Sequence, residues 1–389
     1  MLEKLAKNNT IFAVIFLTFI FILGIRADYN LYRFKVFGEA NSNYELGSAV
    51  EGMQTEYAAN FPLKVNMVDL NGLIRRLTGI REMNGVIKLN NGYLTKVSDI
   101  VSDDQLNTNV EAIVQYANYC NERGIRVIYV QGPYNISKYD PQLPAGVTDG
   151  HNESLDMMLD RLRENGVETI DLRELMYKDG IDQYDMFYVT DHHYTTEGAF
   201  YAYRKIAEQI AADTGTTVDP KLLDINNYQT DIYPEWHLGS NGQRTGAYFA
   251  GIDDYHLIYP KFETNIYNSD DQSVSTLYEA LVNTDVFSNR NLQNRYTYDL
   301  AYTNNDINSL KSLDAETDLN VLLLSDSFQQ AIKPYMLLTY KEFHIEDYWN
   351  LSASVVNRYQ PDVIVIMTWG GNVGTPSPNT MTFNDDQET

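Results

Sequence analysis

Three short polar clusters could do chemistry together: Asp191-His192-His193, Asp326-Ser327 and Gly371-Asn372. Each directly follows an apolar, β-rich run, namely Met186 to Thr190, Asn320 to Ser325 and Asp362 to Thr368. A serine hydroxyl is a weak nucleophile until a base takes its proton. Imidazole is the usual base because it titrates near neutrality, and a carboxylate fixes its tautomer and orientation. Asp191 stands two residues before His193, so on an extended or turned segment the two side chains share a side. Ser327 follows a strand and opens a helix, a placement that exposes its hydroxyl and aims backbone N–H groups at a developing oxyanion. The combination predicts nucleophilic acyl chemistry at Ser327. Taken singly, the serine reads as a helix cap and the Asp-His pair as a solvated loop; their coincidence carries the expectation. Adjacent histidines also suggest a metal, but His151, His237, His256 and His344 are scattered without ligand spacing. Neither a metal nor a cofactor is expected.

Such clusters need a frame. In parallel α/β sheets, reactive groups gather beyond the carboxyl ends of the strands, and the chain carries the matching rhythm. Arg126–Gln131, Val167–Leu172, Met186–Thr190, Asn320–Ser325, Phe343–Tyr348 and Asp362–Thr368 read as strands of one mostly parallel sheet. Amphipathic helices are predicted over Asn107–Arg123, Glu153–Asn165, Thr195–Asp213 and Leu351–Tyr359, with a further helix after Ser327 interrupted near Pro334. The alternation implies an α/β fold with helices on both faces. Within Asn84–Leu94, an apolar alternation followed by Asn91-Gly92 signals a tight hairpin.

Between residues 214 and 315 the rhythm breaks into a stretch rich in Tyr, Asn and Asp, read as an insertion or subdomain at the rim of the site. The expected organisation is therefore an N-terminal anchor at 1–27, a stalk and helical lead-in at 28–79, and a first α/β part at 80–213. The insertion at 214–315, a second α/β part at 316–375 and a loose tail at 376–389 complete it.

The chain has 389 residues, enough for a substantial core. Its 53 acidic and 29 basic residues give a net charge of −24. Such a surface repels nucleic-acid phosphates, and no basic stripe offsets it. Thirty tyrosines suit both ordinary cores and sugar surfaces. The single cysteine, Cys120, lies in an apolar helical stripe and reads as a core thiol. Near the N-terminus, Lys4 and Lys7 precede an uninterrupted apolar run from Ile11 to Ile25, with no small-x-small cleavage site behind it. That pattern predicts an uncleaved membrane helix, with the acidic remainder outside the cytoplasm of a bacterial cell.

At this point the sequence resembles a known family. Val189-Thr190-Asp191-His192-His193-Tyr194-Thr195-Thr196-Glu197-Gly198-Ala199 is similar to the signature of the DHHW family, in the alginate O-acetyltransferase-like branch of the SGNH hydrolase superfamily, with Tyr194 in place of the usual Trp. Leu324-Ser325-Asp326-Ser327-Phe328 resembles the Gly-Asp-Ser nucleophile block, with Ser325 in place of Gly. Thr368-Trp369-Gly370-Gly371-Asn372 looks like the Gly-x-Asn block. The Asp/His block comes first here, which resembles the permuted motif order of the acetyltransferase-like branch, over roughly residues 80 to 372.

The resemblance implies an SGNH-hydrolase-like three-layer sandwich. It implies Ser327 as nucleophile, His193 as base, Asp191 as its orienter, and the Ser327 N–H and Asn372 side chain as oxyanion donors, with His192 the second choice of base. His192, Tyr194 and Arg244 are candidates for substrate contact. Arg244 lies in Gly239-Ser240-Asn241-Gly242-Gln243-Arg244-Thr245-Gly246, which either lines an acceptor site or forms a surface turn. The implied reaction is O-acetylation of a polysaccharide, with acetyl groups supplied by a membrane-bound O-acyltransferase partner. An esterase using the same residues, and a glycan-binding protein with an inert triad, are the alternatives.

Overall fold

The computed structural model describes residues 63–288, 297–348 and 350–375, with isolated positions 14, 17 and 18. The predicted anchor, the stalk up to residue 62 and the tail at 376–389 lie outside the described residues, those three positions apart. Among the described residues no helix is long and apolar enough to cross a membrane. The chain divides into two compact units, residues 1–71 and 72–389, and everything below concerns the second.

Its frame is a five-stranded sheet built from β1 (Arg126–Gln131), β2 (Glu168–Asp171), β5 (Thr317–Ser325), β6 (Tyr340–Asp347) and β7 (Val363–Thr368), in the order β6-β5-β7-β1-β2. The remaining labelled strands, β3 (Tyr228–His237) and β4 (Asp253–Pro260), form a separate antiparallel hairpin. Every pairing in the five-stranded sheet is parallel. Parallel strands covered on both faces read as continuous apolar runs, and the central ones alternate between two cores. Val127, Tyr129, Leu322, Leu324, Ile364 and Ile366 face one; Ile128, Val130, Val321, Leu323, Val363 and Val365 face the other.

The helices close this α/β sandwich. On one face, α1 (Asp103–Asn121), α2 (His151–Glu164) and α6 (Ala353–Tyr359) bury residues such as Ile113, Leu159 and Val355. On the other, α3 (Thr196–Thr214) and α5 (Gln329–Thr339) bury Phe200, Ile206, Ile332 and Tyr335. A shorter helix, α4 (Ser240–Thr245), lies in the insertion.

Helix ends follow local chemistry. Ser102 caps α1 by accepting from the Gln105 N–H, with Asp103 and Asp104 in the first turn. Thr195 caps α3, which stops at Gly215 with φ 68°. The helix expected to break at Pro334 instead runs through it. An internal proline costs about 3 kcal/mol, and Ala331, Ile332, Tyr335 and Met336 are all buried around it. The predicted hairpin turn lies at Asn91-Gly92, with Gly92 at φ 95°, between the antiparallel strands Val86–Lys88 and Leu94–Thr95. A second tight turn at Asn84-Gly85, with φ of 54° and 74°, precedes it in the same small sheet.

One predicted strand is not a strand. Residues 186–190 lie outside the sheet, behind a short 3₁₀ turn (Gln183–Met186) and with one isolated bridge, Phe187 to Tyr194. The β-rich composition misleads because the segment's N–H groups find nearby carbonyls and a carboxylate instead of a strand. Phe187 donates to the Tyr184 carbonyl and Tyr188 to the His193 carbonyl. Asp253 accepts from Val189 and Thr190 at 3.0 and 2.8 Å.

Candidate active site

Ser325 ends β5 and pairs with Met367 of β7, so the turns after these strands emerge side by side. Ser325 takes an ordinary strand place, and the position makes no demand for glycine. Ser327 follows in the turn before α5, partly buried. Phe328, fully buried, anchors this turn, and its carbonyl accepts from the hydroxyls of Tyr194 and Tyr298.

Asp326 ties the two turns together. One of its oxygens accepts from the Phe328 N–H at 3.1 Å; the other accepts from the Trp369 N–H and the Asn372 side-chain amide, both at 2.8 Å. Burial pushes the Asp326 carboxyl up, although these hydrogen bonds work against the shift. Asn372 thus has one amide proton engaged by Asp326 and a second to give.

The Asp191 loop reaches the same edge. The Ser327 hydroxyl lies 2.6 Å from His193 Nε2, and His193 Nδ1 lies 3.3 Å from Asp191 Oδ2. Asp191 and His193 are both fully buried. Burial alone would raise the Asp191 carboxyl, yet the His193 imidazole and the hydrogen bonds from His192, His193 and His237 hold it well below the usual carboxylate range. An ionised carboxylate only accepts, so His193 donates from Nδ1 and turns the lone pair of Nε2 toward the serine. Burial lowers the His193 pKa to about 4, against the pull of Asp191, so the ring is a neutral acceptor at physiological pH. Tyr298 stacks on it, ring centres 3.9 Å apart and planes 14° off parallel.

The other predicted site residues divide. His192 is half-buried between His193 and Trp369, with Nδ1 2.8 Å from Ser240 Oγ. Arg244 is exposed near the end of α4. Tyr194, expected at the substrate face, is instead completely buried with its hydroxyl spent on Phe328, because its ring packs edge-on against Phe328 inside the core. Asp191, His192 and His193 each offer one ligand atom within 4.8 Å of the others, a group that could hold a metal ion. The Asp191 oxygens, however, are already hydrogen-bond acceptors.

Several participants escaped the sequence reading. His237, dismissed there as scattered, lies with Nε2 3.0 Å from Asp191 Oδ2. Ser240 donates to Asp191 Oδ1 from Oγ at 2.9 Å and from its N–H at 3.2 Å. Asn135, on the loop after β1, donates to the Asp191 carbonyl at 2.8 Å. Gly239 is needed for close approach: a Cβ there would sit 2.2 Å from the Asp191 Cβ. The glycine-rich turn at 239–246 was the available signal, since it sits against Asp191 and not at an ordinary surface.

A serine, a neutral imidazole and a buried carboxylate thus share the carboxyl edge of a parallel sheet in an SGNH-like domain. Comparison with known proteins gives the same class: residues 92–233 match the family model for the SGNH hydrolase-like domain of acetyltransferase AlgX. The resemblance read from the Asp-His-His segment therefore holds, and this part of the chain is similar to an acetyltransferase-like SGNH domain. No curated protein matches the chain. Among solved structures, Bacillus cereus PatB1 superposes with a TM-score of 0.59 at 18% identity, covering 74% of this chain and 96% of that one. PatB1 with a sulfonyl adduct gives 0.57 at 17% identity, with 77% and 98% covered. A DHHW family protein from Eubacterium siraeum gives 0.54 at 14% identity, with 75% and 93% covered. At these identities the structural likeness is one of fold.

Proposed function

We propose that this protein is an exported serine O-acyltransferase that acetylates hydroxyls of a cell-surface or secreted polysaccharide. The observation that carries the reading is the 2.6 Å contact between Ser327 Oγ and His193 Nε2, with Asp191 on the other ring nitrogen. In the first half-reaction His193 takes the Ser327 proton as Oγ attacks the acyl carbonyl of the donor. The tetrahedral oxyanion is met by the Ser327 N–H and the second amide proton of Asn372. Collapse expels the donor's leaving group, which receives the proton from His193, and leaves acetyl-Ser327. In the second half-reaction a sugar hydroxyl attacks this ester, giving its proton to His193. Ser327 Oγ departs, takes that proton back, and the acetylated sugar leaves. Asp191 holds the ring tautomer and stabilises the imidazolium formed in each step.

The apolar run at 11–25 supports an anchored protein with its catalytic part outside the cytoplasm, and a membrane-bound O-acyltransferase as acetyl supplier accords with that arrangement. The partial exposure of Ser327 also favours water as a competing acceptor, which would make the same site an esterase.

Intact-mass measurement after incubation with an activated acetyl ester tests the mechanism. The wild type is expected to gain one acetyl group on Ser327, and Ser327→Ala none while keeping its far-UV spectrum. An equal mass gain in Ser327→Ala would sink the serine mechanism. Adding oligosaccharide then separates the acceptors: faster loss of the acetyl group with acetylated sugar appearing means transfer, and an unchanged rate giving only acetate means hydrolysis.

A further inference from the structure

The Asp191 carboxylate is held from outside the sequence blocks that announce the site. His237 ends β3, and its approach to Asp191 depends on a local irregularity. Tyr233 pairs with Tyr255 while His237 pairs with Asp253, so four residues of β3 advance against two of β4. Pro234, Glu235 and Trp236 fill the difference. Glu235 takes a left-handed φ of 46°, and its N–H is met by the Asp254 carboxylate at 2.8 Å. Bulges of this kind re-aim side chains beside active sites, and a left-handed non-glycine residue is sparsely populated elsewhere. The bulge delivers a fully buried His237 against Asp191, with the Tyr188 and Tyr255 rings beside it at 4.7 and 6.2 Å.

Three residues further on, α4 begins on Asp191. Gly239 donates its N–H to Thr190 Oγ at 2.8 Å, and Gly242 donates to the Thr190 carbonyl at 2.8 Å. These contacts zip the start of α4 to the loop. Ser240 then reaches Asp191 Oδ1 with both its hydroxyl and its N–H.

Resting on the acyl-transfer reading above, we propose that His237 and Ser240 are positioning residues for that reaction. Together with the His192 N–H, 2.7 Å from Oδ1, they occupy the Asp191 oxygens on the sides away from His193, so the carboxylate is fixed in place and holds the His193 ring toward Ser327. Asp191 is an acceptor only, so His237 donates from Nε2, and its role is that of a hydrogen-bond donor at a set point. The 214–315 insertion is then part of the catalytic apparatus, since it supplies both residues, and a chain without it would keep Ser327 and His193 but lose their alignment.

The test compares His237→Phe, which keeps the ring and loses the donor, with His237→Gln, whose amide N–H reaches about as far as Nε2. The rate constant for forming acetyl-Ser327 from an activated ester is measured at saturating ester, together with KM and the melting temperature. The downfield proton signal of His193 Nδ1–H against Asp191 is followed in parallel by NMR. His237→Phe is expected to lose about tenfold to 100-fold in the rate constant, the scale of a small misplacement of reacting groups, with KM little changed. It should also lose or shift the downfield signal, and His237→Gln should restore both.

A wild-type rate in His237→Phe overturns the proposal. So does a parallel loss of rate and melting temperature in Phe and Gln variants alike, which marks a purely structural residue. If His237→Phe does not fold, Ser240→Ala decides: a slower rate at an unchanged melting temperature supports positioning, and an unchanged rate refutes it. If the wild type itself forms no acetyl-Ser327, the acyl-transfer reading fails instead, and the downfield signal in the three proteins still decides whether His237 orders the Asp191–His193 pair.

Discussion

The two halves of the site are held in different ways. Ser327 and Asn372 stand on turns launched by adjacent parallel strands, and sheet register brings them together: Ser325 pairs with Met367, and Asp326 laces one turn to the other. Asp191 and His193 stand on a loop with no strand beneath it. That loop is fixed by side chains far away in sequence: Asn135, His237, Ser240 and Asp253. A backbone ladder spreads its cost over many bonds, whereas a side-chain network fails when one member is lost. The contrast predicts that single substitutions around the Asp191 loop are more damaging than comparable ones around the strand-end turns.

Gly239→Ala tests the loop side and carries the largest expected effect. The added Cβ would meet the Asp191 Cβ at 2.2 Å, with Cα and Cγ nearly as close, so backbone must move. Acetyl-Ser327 formation is expected to fall by about 100-fold or more, because displacing the carboxylate displaces His193 with it. The sheet cores do not include this contact, so circular dichroism should still report a folded α/β domain. A Gly239→Ala protein with undiminished acylation would mean that the loop tolerates movement, and the contrast would dissolve.

Asp326→Asn tests the strand-end side. Asparagine keeps the size but offers one carbonyl where the carboxylate accepted from Phe328, Trp369 and Asn372. At least one donor loses its partner, a cost of about 1–3 kcal/mol if it stays buried. The β5–β7 ladder continues to hold both turns, so the expected loss in acylation is about tenfold, below that of Gly239→Ala. Melting temperature and acylation rate, measured on the same sample, check both parts. A greater loss than in Gly239→Ala would reverse the ranking of the two halves.

This difference also explains how far the sequence could be read. Four of the five sheet strands were placed within a few residues, and β6 only shifted, because strands buried on both faces write continuous apolar runs. Ser327 and Asn372 inherit that legibility by following them. The Asp-His block was recognisable as a motif, yet its support was misread: Met186–Thr190 has the composition of a strand, and nothing local reveals that the Val189 and Thr190 N–H groups go to Asp253. Tyr194 was misplaced for a related reason, since a tyrosine next to a catalytic motif gives no sign that its hydroxyl belongs to Phe328. His237 was passed over because a lone histidine carries no pattern, and the bulge that aims it depends on pairing with β4. Long-range hydrogen bonds between single side chains leave no periodicity to detect.

The smallest expected effect is the lack of a change where histidine chemistry would ordinarily show one. A base with the usual pKa of 6.5 loses half its neutral form at that pH, whereas burial lowers His193 to about 4. Since only neutral His193 accepts the Ser327 proton, the kcat/KM for acylation should rise with pH through about 4 and stay flat across 6.5. Stability behaves differently over the same window. Between 4 and 6.5 the unfolded chain binds a proton at this histidine that the folded chain refuses, so folding weakens as pH falls through that range and is untouched by this group above it. Asp191 acts lower still: its carboxyl is depressed, so its contribution is present above the ordinary carboxylate value of 3.8 and is lost only as pH falls further. Acylation rates from acidic to neutral pH, restricted by circular dichroism to pH values where the protein is folded, should show no inflection near 6.5. Gly239→Ala, which lets water toward His193, should bring one back. An inflection near 6.5 in the wild type would mean that the loop does not keep His193 dry, and that the second half of the site is held no better than an exposed turn.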